Sequence, residues 1–284
     1  GPSTSEGAVW LEEPVKAGEA SDPFLFAGWP HRSVHIQHSG AQPVTFTFET
    51  DNAGNGAWTK AQTVTVAPGK AEEVMFPENM PGEWIRITAD KPVKATAHFF
   101  YAANDNRQAA PSPIFDGLSK VTDQQSAGGL LYGLGDNRRA LGVAAQTYNN
   151  GDAAATGYYE LNADMELVKK DDPKTLSFIR QKFAIPQQAV NIEASSVLVV
   201  DDKGRRWRLP LGNDAYTART GKAALRICRE VSTERDLFNC HGTFYELPAE
   251  NADGYAKIRP IASHHFRIND YASYRGMLIM TGID

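Results

Sequence analysis

Cysteine is nearly missing from this chain. Cys228 and Cys240 are the only two among 284 residues. Both lie in strand-like stretches, so they form either one cross-strand disulfide or two buried thiols. No spacing of Cys and His resembles a zinc site. Long apolar runs are missing too: none approaches the roughly 20 residues needed to span a bilayer. Positive charge is not in excess. Lys and Arg number 29 against 34 Asp and Glu, a net charge of −5, which argues against a nucleic-acid binder held by phosphate contacts. The Gly133-Leu134-Gly135-Asp136-Asn137 segment lacks the strand-to-helix setting of a nucleotide loop. The start, Gly1-Pro2-Ser3, resembles the scar of a cleaved expression tag, so the lack of a visible leader is uninformative.

What is present is the composition of a soluble globular protein, 42% apolar and 22% charged, long enough for one large β domain or two ordinary domains. Residues from 25 to 101 read as short alternating strands. Examples are Ser33–His38, Val44–Glu49, Thr63–Val66, Glu73–Phe76, Trp84–Thr88 and Val93–Tyr101. Turn residues separate them: Ser39-Gly40, Asp51-Asn52-Ala53-Gly54-Asn55-Gly56, Pro68-Gly69, Pro81-Gly82 and Asp90-Lys91-Pro92. This spacing predicts an antiparallel β-sandwich over 1–101, with one buried and one wet face per sheet. Residues 102–127, rich in Ala, Asn, Gln, Ser and Pro, read as a linker.

The remainder, 128–284, is again strand-rich, with one helix. Asp172-Pro173 supplies its cap and first-turn proline, Leu176, Ile179 and Phe183 recur at helical spacing, and Ala184-Ile185-Pro186 ends it. Ser196–Pro210 reads as a hairpin with an Asp-Lys-Gly turn. The segment Asn239-Cys240-His241-Gly242-Thr243-Phe244-Tyr245-Glu246-Leu247-Pro248 alternates like a strand. On a regular pleat His241, Thr243 and Tyr245 share one face and Glu246 lies on the other. A second polar cluster follows: Arg259, His264, His265, Arg267, Asp270, Tyr274 and Arg275.

Each group admits two readings. His241, Tyr245 and His264 are candidate acid or base groups, because histidine titrates near neutrality and a nearby arginine lowers a tyrosine's pKa. Arg259, Arg267, Tyr274 and Arg275 are candidate ligand contacts, suited to a carboxylate or sulfate. Equally, these side chains can brace a β scaffold through hydrogen bonds. Glu230, Glu234 and Asp236 offer a carboxylate pair for glycoside hydrolysis or simply balance the neighbouring arginines. The Asp51–Gly56 turn is oxygen-rich enough for a structural calcium, yet lacks the terminal Glu of a full calcium loop. Trp29, His31, Trp58 and Trp84 form either a sugar-stacking platform or core.

Several stretches together resemble a group of large, poorly characterised bacterial β-propeller proteins associated with glycan degradation. They are Gly157–Leu161, Gly204–Pro210, Glu234–Asn239 running into His241–Pro248, and Tyr274-Arg275-Gly276 before Met277–Gly282. The N-terminal half, from Val15–Glu19 through Ser21-Asp22-Pro23 to Phe99-Phe100-Tyr101, is similar to the sandwich domain accompanying that propeller. The resemblance implies an all-β protein, a carbohydrate-binding-like sandwich followed by a propeller-like domain with one short helix. It implies a secreted or periplasmic protein with a carbohydrate ligand, anionic if the arginines line the site, and no cofactor beyond the calcium just noted. If catalytic, it would be a glycoside hydrolase or polysaccharide lyase; otherwise it is a glycan-binding or assembly module. In the group the sandwich tends to follow the propeller, whereas here it comes first. The propeller-like part holds only about three or four blades, so the chain is either a fragment with a missing segment, or a compact variant, or completed by another chain.

Overall fold

The computed structural model describes residues 3–105, 113, 128–135, 139–149, 152–186, 190–212, 225–264 and 267–282. The expected linker lies largely outside them, as does His265. In chain order the strands are β1 (Thr4–Val15), β2 (Phe24–Leu25), β3 (His31–His38), β4 (Val44–Asp51), β5 (Trp58–Val66), β6 (Ala71–Phe76), β7 (Trp84–Ala89) and β8 (Val93–Ala102). Next come β9 (Gly129–Gly133), β10 (Leu141–Asn149), β11 (Asp152–Leu161), β12 (Leu167–Lys170) and helix α1 (Pro173–Lys182). The rest are β13 (Asn191–Ile192), β14 (Val197–Val200), β15 (Arg206–Leu209), β16 (Cys228–Ser232), β17 (Arg235–Cys240), β18 (Thr243–Pro248), β19 (Arg259–Ser263), β20 (Ile268–Tyr274) and β21 (Met277–Gly282). The class is all-β, as expected.

The chain divides into two compact units. The first gathers Gly1–Asn106, Val190–Asn213 and Thr243–Ser263; the second gathers Arg107–Ala189, Asp214–Gly242 and His264–Asp284.

The first unit is built on two sheets, ordered β1-β8-β3-β6 and β13-β14-β15-β2-β7-β4-β5. Alternation puts Val44, Phe46 and Phe48 of β4, and Ala95, Ala97, Phe99 and Tyr101 of β8, into the core. Aromatic rings join the sheets there: Phe24 stacks on Phe99 at 4.8 Å, and Phe76 meets Phe26 and Phe48 edge-on at 5.2 and 5.7 Å. Arg32 is the one arginine pointing into this layer from β3. Its Nη1 donates to the Phe26 carbonyl and its Nη2 to those of Pro77, Glu78 and Met80. Burial pulls its pKa below the ordinary value, partly offset by Tyr101.

The hairpin expected in the second half belongs to this sandwich instead. Strand β15 pairs in parallel with β2 at Arg208–Phe24, and the Arg208 N–H donates to the Pro23 carbonyl at 2.9 Å. β18 and β19 likewise cluster with the N-terminal strands. The physical reason is non-local pairing: β2 is two residues long and exposes a ladder edge that only a distant segment fills.

The second unit contains an antiparallel meander, β12-β11-β10-β9. Its two faces follow the pleat. Leu130, Ala144 and Tyr158 pack with Ile179 of α1, while Leu131, Val143 and Tyr159 pack on the other side with Ala272 of β20. The helix begins as the sequence predicts. Asp172 accepts from the Thr175 N–H at 3.0 Å, and Pro173 occupies the first turn. Each described sheet is open, so the strand pairings themselves establish no propeller ring. No helix among the described residues is long and apolar enough to cross a membrane.

Candidate functional site: a tryptophan groove on the sandwich

The segment from His241 to Pro248 is not one pleated strand. β17 ends at Cys240 and β18 begins at Thr243, with His241 and Gly242 at φ 49° and 82° between them. Two successive positive φ values are the signature of a type I′ turn, and they break the alternation that would align His241 with Tyr245. The boundary between the two units falls here, with His241 in the second and Tyr245 in the first.

Most of the other expected site residues have structural partners. In the second unit, the His264 N–H donates to the Gly242 carbonyl at 2.9 Å, and its Nε2 bonds Asn239 Oδ1 at 2.7 Å. The fold thus brings His264 to the turn that carries His241. Tyr274 donates its hydroxyl to the Arg139 carbonyl at 2.7 Å. Arg275, at φ 51°, is an exposed turn residue at the tip of the β20–β21 hairpin. Arg267 is half-buried just before β20. In the first unit, Arg259 forms an ion pair with Glu83, and Tyr245 is 1% exposed with its ring edge-on to Trp29 at 6.5 Å. None of these seven lines either of the two grooves described below.

The tryptophans separate by fate. Trp29 is buried and stacks on Tyr101. Trp84 is fully buried and donates its Nε1 N–H to the Ala256 carbonyl at 2.9 Å. Trp58 stays half-exposed at the start of edge strand β5, lining a groove of about 640 Å³. Arg86 lies over its ring at 4.4 Å and is itself held by Glu49 at 2.7 Å.

Two loops build the groove around Trp58. In the first, the buried Asp51 carboxylate accepts N–H bonds from Ala53, Asn55 and Gly56 at 2.7–3.2 Å. Those bonds satisfy the carboxylate within the loop itself, as a plain turn does. Among the described residues no cluster of three or more His, Cys, Asp or Glu could hold a metal ion. Gly54 is required: a Cβ there would lie 2.3 Å from the Ala256 carbonyl oxygen. In the second loop, Asp201 accepts from the N–H groups of Lys203 and Arg205, from Arg205 Nε and from Trp207 Nε1. Burial raises the Asp201 pKa, but these bonds and the Arg205 charge lower it further, and the net value is below the ordinary one.

The groove's polar edges divide by what is already spent. Asp22 is gripped by Arg206 Nε and Arg208 Nε at 2.8–3.2 Å. Arg205 and Arg206 each bond a carboxylate through Nε alone, so their outer Nη edges face solvent among the described residues; their side chains are 45% and 47% exposed. Asn55 spends its Oδ1 on the Ala57 N–H, leaving its amide donors. Asp253, exposed on the rim, adds an acceptor. Donors and one acceptor ring a half-exposed indole, an arrangement that meets a hydroxyl-rich ligand from several sides. Sequence reasoning missed Arg205, Arg206 and Asn55 as site residues. The available signal was the pair of turn-forming segments, each flanked by a tryptophan.

The two cysteines are free thiols. Burial pushes both up to about 12, with Asp236 adding to the shift at Cys228.

No family model matches the chain, and no curated protein sequence matches it. Three solved structures are similar over part of it. A chain of the Bacillus endospore appendages, described as disulfide-linked pili, is 16% identical over 37% of this chain and 92% of its own, with a TM-score of 0.25. PirA is 16% identical over 35% of this chain and 92% of its own, with a TM-score of 0.21. The CBM22-1–GH10 modules of Clostridium thermocellum xylanase 10B, complexed with xylohexaose, are 15% identical over 40% of this chain and 28% of their own, with a TM-score of 0.24. At these TM-scores none of the three carries an argument about function.

Proposed function

We propose that the sandwich unit is a non-catalytic carbohydrate-binding module, and that a sugar ring stacks on Trp58 in the 640 Å³ groove. The observation that carries this is the half-exposed indole ringed by the unspent donors of Arg205, Arg206 and Asn55 and by the Asp253 carboxylate. Sugar hydroxyls both donate and accept, so they match such a mixed rim, while the C–H face of a pyranose suits the indole. Charge in the groove is nearly balanced: Asp22 sits between two arginines, and Arg205 pairs with Asp201. A neutral sugar therefore fits better than the acidic one the arginine-rich sequence suggests. This reading suits a protein that meets polysaccharide outside the cytoplasm. In the second unit, the four-stranded antiparallel meander has the size and order of one propeller blade, which supports a propeller-like architecture there.

The test is titration calorimetry against a panel of neutral oligosaccharides, with Trp58→Ala as control. The variant should lose about 2 kcal/mol of binding, roughly 30-fold, as a buried aromatic anchor does. Binding that survives Trp58→Ala unchanged, or a panel with no binder, contradicts the assignment.

A further inference from the structure

The four-stranded sheet of the same unit carries a second groove, of about 470 Å³, with a different chemistry. Its shape follows from register. Across β1, β8 and β3 one row reads Thr4, Ala102, His31; the next reads Glu6, Phe100, Ser33 and continues to Met75 on β6. Ala102 is the small residue in the middle, and the missing side-chain volume opens the groove beside the Phe100 ring. Phe100 is a large apolar ring on the wet face of an alternating strand, 42% exposed. His98 covers one side of its ring at 4.7 Å and 19°.

The charge here is mostly negative. Glu6 lines the groove, Glu73 lies behind Ser33, whose hydroxyl donates to it at 3.3 Å, and Glu78 stands 3.1 Å from His31. The Arg32 side chain also reaches the groove, but it is buried and its Nη donors are spent on four carbonyls. His98 stands 3.7 Å from Glu6. Burial lowers its pKa, Glu6 raises it and His35 opposite lowers it again; the net is below the ordinary value, so near neutrality His98 leaves the Glu6 charge standing.

We infer that this second groove binds an amine-bearing sugar, its ring laid on Phe100 and its ammonium held by Glu6. An ammonium over an aromatic face is favourable, and a carboxylate beside it adds charge-assisted hydrogen bonds. A lysine-rich peptide fits less well. Peptides add to sheets along an open edge, whereas Phe100 lies on β8, whose backbone is paired on both sides with β1 and β3.

The experiment compares a glucosamine oligomer with its fully N-acetylated counterpart of equal length, using the full chain. Folding of each variant is checked by thermal melting. The free-amine oligomer should bind tighter by about tenfold or more, and the advantage should shrink with salt. Phe100→Ala should weaken both oligomers, Glu6→Gln should remove only the free-amine preference, and Trp58→Ala should leave that preference intact. Equal binding of the two oligomers, an unchanged preference in Glu6→Gln, or binding of poly-lysine without the sugar would overturn the inference. Because Trp58 belongs to the other groove, failure of one site leaves the other distinguishable.

Discussion

The two units hold together with different emphasis. The sandwich is joined by rings: Phe24, Phe26, Phe48, Phe76 and Phe99 meet at about 5–6 Å in a dry layer. The second unit adds to its apolar clusters a buried charge. Asp270 is 0% exposed and accepts from Arg226, from Arg229 Nη1 at 2.7 Å, and from the N–H groups of Leu131 and Tyr271, both at 2.8 Å. Arg226 and Arg229 reach on to the carbonyls of Phe183 and Leu131, and Tyr271 donates its hydroxyl to those of Ile227 and Leu237. Of the polar cluster that reads like an active site in the sequence, Asp270 is here the centre of a network that ties β9, β16, β20 and the residue after α1 together. In the sandwich the groove-facing groups come from strands and from the turns beside them.

This contrast can be broken by mutation. The largest effect is expected from Asp270→Ala, which strands two partly buried guanidinium groups and two N–H donors. It should cost about 4 kcal/mol of stability, within the range for removing one partner of a buried ion pair. Denaturant unfolding followed by fluorescence checks this, and a loss under about 1 kcal/mol would mean the charge network does not hold the unit.

A smaller loss, about 2 kcal/mol, is expected for Asp201→Ala, because four donors lose one acceptor at the turn between β14 and β15. The pH dependence has a definite sign. Asp201 has a lowered pKa in the folded state, so its contribution is present above the unfolded value of about 3.9 and is lost as pH falls through the folded value. Asp201→Asn should flatten the acid limb of stability against pH; an unchanged limb contradicts the role. His98, also lowered, acts nearer neutrality. Stability should fall as pH drops from about 6.5 through its folded value, and His98→Gln should reduce that slope.

Much of the local architecture is readable from the sequence, and the reasons are local. The α1 helix is announced by Asp172, Pro173 and the Leu176–Ile179–Phe183 spacing, all acting within a few residues. The Asp201–Arg205 turn and the strands β3, β4 and β8 are similarly self-specified. What escapes is anything that depends on distant pairing. No local pattern predicts that Arg208 will lie beside Phe24, or that Trp84 will be buried by Ala256 and Trp207 while Trp58 remains open. The His241-Gly242 turn escaped for another reason: histidine at positive φ is uncommon, so an alternating pattern runs through it unbroken when read by polarity alone.

The most direct test of the proposed sugar site sets Trp58→Ala beside His264→Ala in one calorimetric series against the same neutral oligosaccharide. The account predicts that Trp58→Ala lowers affinity about 30-fold with little change in melting temperature, while His264→Ala leaves affinity within about twofold. Lost binding in His264→Ala with intact binding in Trp58→Ala would contradict it and return the site to the polar cluster of the second unit.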